Sequence, residues 1–176
     1  MRSIALVILI IFLSAAFMQP MLETANVYKE KIALGAAILN SCRAASNRAL
    51  IDEDMRNMDA VIDRLSFAEY FAEAFGDTFD IVLESPPIIT GDTVSMSFNT
   101  SERWARIGIL LKFQDMAYID SSGSGYDLGY NEAVLDISLT TPYIFRTKLL
   151  RQAMNAIAAT DYTITENRRF IVRVIN

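Results

Sequence analysis

The chain has 176 residues, with Lys+Arg 16 against Asp+Glu 21, a formal net charge of −5 and a pI near 4.8. No basic cluster stands out, which argues against nucleic acid as a partner. Histidine is absent and Cys42 is the only cysteine, so a Ser-His or Cys-His nucleophile pair, a His-ligated metal and an internal disulfide are all ruled out.

The first stretch, Ser3 to Leu22, reads SIALVILIIFLSAAFMQPML and carries no charge. Twenty helical residues rise about 30 Å, the thickness of a bilayer's hydrocarbon core. The run is long, and Ser14-Ala15-Ala16 lead into bulky Phe17 and Met18, so it reads as a retained helix rather than a cleaved signal. Arg2 before it favours a cytoplasmic N-terminus and an extracytoplasmic remainder. Pro20 marks either the membrane exit or a point of loosening. A net negative head resists adsorption to anionic lipid.

From Glu23 to Ala49 the helical pattern continues without a breaker, rich in small residues that let backbones approach closely. Gly35 is costly inside a helix, which implies a packing reason. One helix over about 3–49 is expected, with residues 50–176 forming a separate head. Cys42 reads as a small buried residue. Asp52, Glu53 and Asp54 suit the first turn of a following helix rather than a metal site.

Ser66-Phe67-Ala68-Glu69 has the form of a capping box, with Leu65 and Tyr70 as its staple and Gly76 as a stop. That predicts a helix over 67–75 presenting Phe67, Phe71 and Phe75 to a core. The period then becomes two. Phe79, Ile81 and Leu83 suggest a first strand, Val94, Met96 and Phe98 a second, and Trp104 to Phe113 a central third. Thr90-Gly91-Asp92 is a turn, and the three strands are expected to be antiparallel neighbours.

Met116 to Asn131 is rich in Gly, Ser, Asp and Tyr and reads as a long loop. Asp120, Ser122, Ser124 and Glu132 only faintly echo a calcium loop, because Glu132 falls one residue late. A partner-facing loop with Tyr118, Tyr126 and Tyr130 as contacts is preferred. Val134 to Thr140 suggests a fourth strand. Thr141-Pro142 has the form of a helix start. Ile144, Phe145, Leu149, Ala153 and Ile157 make an apolar stripe on that helix, opposite Arg146, Lys148 and Arg151. Residues 162–175 read as a closing hairpin turning at Glu166–Arg169.

The resulting plan is α+β: an apolar N-terminal helix, an Ala-rich extension, and a small head with an antiparallel sheet. This order resembles type IV pilin-like proteins, and within them the TadE-like pseudopilins of tight-adherence systems. The resemblance rests on residues 3–49, SIALVILIIFLSAAFMQPMLETANVYKEKIALGAAILNSCRAASNRAL. It implies a structural subunit whose helix waits in the membrane and then moves into a filament core. Its partners would be copies of itself, other pilin-like subunits, and the membrane before assembly. On that reading Ile4, Leu6, Val7, Leu9, Ile10, Leu13 and Phe17 form the assembly core, and Gly35 and Ala36 sit at a close helix crossing. The alternative is a membrane-anchored extracytoplasmic binding domain acting through the 116–131 loop. Neither reading calls for a cofactor or a catalytic residue.

Overall fold

A computed structural model describes residues 2–50, 62–100, 104, 106–118, 129–157 and 162–173. Helix α1 spans Arg2–Ala49 and α2 spans Arg64–Phe79. Strands follow at Val82–Leu83 (β1), Ile88–Thr90 (β2), Thr93–Asn99 (β3), Arg106–Tyr118 (β4) and Gly129–Tyr143 (β5). Helix α3 covers Lys148–Ile157, and β6 covers Tyr162–Arg173. The architecture is α+β. One antiparallel sheet runs β1-β3-β4-β5-β6, with β2 sharing β3's outer edge with β1.

α1 runs unbroken through Pro20, without the loosening that a proline suggests. Its two halves have different surroundings. From Val27 onward, Leu34, Ala37, Ile38, Cys42, Ala45 and Ala49 are buried at spacings of three, four and seven, a stripe along one side. This side packs against α2 and β6. Small residues dominate the stripe, so α2 can approach closely and bring its phenylalanines to the sheet. Phe67 meets Phe113 of β4 edge-on at 5.7 Å, and Phe75 meets Phe98 of β3 at 5.2 Å. Burial of one such ring is worth about 1.5–3 kcal/mol. The head's core therefore includes the second half of α1. The Asp63 amide donates to the Ala49 carbonyl at 3.0 Å, joining the end of α1 to the start of α2.

Several expectations are corrected. α2 starts one turn earlier than the capping box at Ser66 suggests. Asp63 is the cap; its carboxylate accepts the Leu65 and Ser66 amides at 3.3 and 3.4 Å, and the Ser66 hydroxyl donates to it. An aspartate suits the positive end of a helix at least as well as a serine does. Gly76 does not end α2, which closes at Asp80 in the left-handed conformation (φ 53°). Gly76 is needed for space, since an added Cβ would lie 2.8 Å from the Ile81 carbonyl oxygen. Phe79 is consequently helical, stacked edge-on against Phe75, and the first strand shrinks to Val82–Leu83.

The turn at Gly91-Asp92 is present, with Gly91 at φ +59° joining paired Thr90 and Thr93. β3 and β4 pair as expected, and β4 lies inside the sheet. The 116–131 loop is shorter than its composition suggests, because β4 reaches Tyr118 and β5 begins at Gly129.

Thr141-Pro142 does not start a helix. Both residues belong to β5 and pair with Ile164 and Thr163 of β6. The proline is tolerated because the continuous β4 ladder on its other side stops at Thr140, with only an isolated bridge between Trp104 and Tyr143 beyond it. β6 is one long strand, not a hairpin. Its charged middle does not turn because each side chain has a partner. Arg169 grips Asp136 on β5 at 2.7 Å, and Glu166 binds Arg168 at 2.7 Å and Lys31 of α1 at 3.6 Å. The acidic residues Asp52, Glu53 and Asp54 lie outside the described residues.

Candidate functional site

The site is the first half of α1 and the collar where it leaves the head. From Ile4 to Leu22 the helix is apolar all round, the pattern of a segment meant to be surrounded. Among the described residues nothing surrounds it. Large apolar side chains there are between 48% (Leu13) and 73% (Phe12) exposed. Ile4, Leu6, Val7, Leu9, Ile10, Leu13 and Phe17 are all bare, and so are Ile8, Ile11, Phe12, Met18, Met21 and Leu22, which the sequence reading leaves out. Among the described residues this is the one helix long and apolar enough to cross a membrane.

Two hydroxyls, one in the run and one just past it, bond back into the helix. Ser14 donates to the Ile10 carbonyl and Thr24 to the Pro20 carbonyl, each at 2.8 Å. Such back-bonding lets a hydroxyl sit in apolar surroundings without an outside partner. Pro20 is half-buried, at the point where the helix reaches the head.

The collar begins at Glu23, the first acid after the run. It is buried, 5% exposed. Its carboxylate accepts the amides of Arg146 and Thr147, the latter at 3.1 and 3.2 Å, and the Thr147 hydroxyl also donates to it. Thr147 stands at the head of α3, since its carbonyl accepts the Arg151 amide at 3.1 Å. A carboxylate of α1 thus caps another helix 123 residues away. Beside it, Tyr143, Phe145 and Tyr162 form a ring chain with centroids 5.3 and 5.6 Å apart. Burial, with the nearby negative charges of Glu23 and Glu30, raises the Tyr143 hydroxyl's pKa above its usual range. No sequence motif marks this clasp. The only local hint is an acid placed directly after twenty uncharged residues.

Lower on α1, Gly35 is buried under β6. A Cβ there would lie 2.7 Å from the Arg168 guanidinium and 3.1 Å from Glu166. The close approach at Gly35 is thus to a charged pair on a strand of the same chain, while Ala36 is exposed. Cys42 is fully buried, and burial pushes its thiol up to about 12, which leaves it unreactive. Tyr118 ends β4 and Tyr130 lies near the start of β5; Tyr126, and Asp120, Ser122 and Ser124 of the calcium echo, lie outside the described residues. Glu132 is a ladder residue of β5, paired with Met116 and Arg173. Among the described residues no three Cys, Asp or Glu converge as a metal site.

No known family, curated protein or solved structure matches the chain.

Proposed function

We propose that the protein is a pilin-like structural subunit, held in a membrane and then assembled into a cell-surface filament through the first half of α1. The observation that carries this reading is the bare, all-apolar segment Ile4–Leu22 on a helix whose other half is built into a compact head. Each large apolar side chain left in water forgoes about 1.5–3 kcal/mol. More than ten of them need a surrounding phase, either lipid or the same helix from neighbouring copies. Exchange of one for the other has a small net cost, which is what extraction into a filament requires. The N-terminus stays on the cytoplasmic side and the head lies outside. Related pilin-like subunits fit the same packing.

Shearing of intact cells without detergent tests the reading. The wild-type chain is expected in the sheared material, and Ile10→Asp is expected to be lost from both membrane and shear fractions. Recovery of the Ile10→Asp chain in sheared filaments would overturn it. A wild-type chain that stays with the membrane and never shears would point instead to an anchored binding domain.

A further inference from the structure

We propose that α3 is a membrane-surface helix, lying at the foot of the head with its cations among anionic lipid headgroups and its apolar side toward the acyl chains. The proposal rests on reading Ile4–Leu22 as membrane-spanning and adds a second contact between the same head and the lipid.

Position is the first argument. Nineteen residues from Ile4 to Leu22 rise about 28 Å, which places Glu23 at the edge of the hydrocarbon core. Glu23 is bonded to Arg146 and Thr147, and α3 begins at the next residue. The clasp therefore holds the start of α3 at the height of the bilayer surface.

The second argument is that most of the described side chains of α3 are open, with Leu150 alone half-buried. Arg151, Gln152, Ala153 and Ala156 are exposed. The sequence is nonetheless sharply two-sided. At 100° per residue, Leu149, Leu150, Ala153, Met154, Ala156 and Ile157 gather on one side, with Lys148, Arg151, Gln152 and Asn155 on the other. A short helix with this division, whose apolar side is exposed at Ala153 and Ala156, suits an interface.

Charge then selects the lipid. The chain as a whole is acidic, but from Ile137 to Thr160 it carries Arg146, Lys148 and Arg151 and no acid. This stretch is a local exception to the acidic character of the chain. Cations near an anionic bilayer are attracted to it. Beside them, the Tyr143–Phe145–Tyr162 ring chain and half-exposed Ile144 supply the amphipathic side chains favoured at headgroup depth.

The test uses the full chain in phosphatidylcholine vesicles, with and without phosphatidylglycerol. A nitrobenzoxadiazole label is placed at Ala153→Cys or, as the remote control, at Asn47→Cys near the other end of α1; buried Cys42 is spared. Spin-labelled lipids that quench at shallow depth are expected to quench the Ala153 label severalfold more than the Asn47 label, and more strongly with phosphatidylglycerol. Arg146→Glu with Lys148→Glu is expected to lose most of the phosphatidylglycerol-dependent part. Equal quenching at both sites in vesicles that carry the chain would overturn the proposal and leave the spanning helix intact. Shielding of the Ala153 label in detergent alone, lost on dilution, would assign the face to a second copy and also overturn it. A chain that does not float with vesicles at all would remove the spanning helix, and this proposal with it.

Discussion

The two halves of α1 are one helix by backbone and two different objects by side chain. The first half carries large residues on all sides and, among the described residues, stays exposed until Pro20 reaches the head. The second half confines its large and small apolar residues to one stripe and builds the head's core with α2 and β6. The contrast lies in pattern rather than in hydrophobicity alone. A stripe of small residues lets a partner helix approach within the fold, whereas uniform bulk leaves no side that the head could cover and still shed water from the rest.

The largest expected effect comes from breaking only the second half's packing. Phe71→Ala on α2 leaves a cavity beneath α1 and should cost about 3–5 kcal/mol, read by thermal or denaturant unfolding of the head. Membrane partitioning should be unchanged. If vesicle flotation falls with head stability, the two halves are not independent. Next, Ile10→Asp places a charge in the first half, at about 2.5–3.5 kcal/mol near a bilayer centre, and should abolish retention without shifting the head's melting. Glu23→Ala acts at the boundary. It removes a carboxylate that satisfies two amides and a hydroxyl, and should cost about 2 kcal/mol. Hydrogen exchange should rise at Arg146 and Thr147 and leave the Phe67–Phe75 amides protected.

The smallest effect tests the outer side of the sheet, which neither half touches. The Arg169 hydrogen bond, reinforced by its charge and that of Lys112, holds the Asp136 carboxyl below its usual value against the opposing effect of burial. Such a pair stabilises the fold above the ordinary carboxyl range and loses that contribution as pH falls through the lowered value. Arg169 is exposed and Asp136 half-exposed, so solvent screens the pair and the effect is small. Asp136→Asn should slightly lower stability near neutrality, with the difference vanishing at low pH, and so flatten the acid limb of the stability curve.

Period and composition made α1, the α2 phenylalanines, the Gly91 turn and strands β3 to β5 readable in the sequence, because each depends on residues close in the chain. The misreadings share a cause. Thr141-Pro142 and the charged 166–169 stretch look like punctuation when only neighbours are considered. Partners elsewhere decide otherwise: Ile164 and Thr163 for the first, and Asp136 and Lys31 for the second. The bare first half was legible as a lipid- or helix-seeking segment. The Glu23 clasp was not, since its partners lie 123 residues downstream and leave no local trace.

Because the second half of α1 lies against β6, the first described element is a neighbour of the last. During synthesis α2 can cover part of the stripe from Val27 to Ala49 soon after it is made, but the side toward β6 stays unsheltered until more than a hundred further residues have emerged. Closure across so long a loop is slow. The nascent chain is therefore only partly covered before β6 docks, and in that interval its open apolar surface is a source of mispairing. A holdase acting on the growing chain would have its greatest effect here, on the yield of folded heads rather than on their final stability.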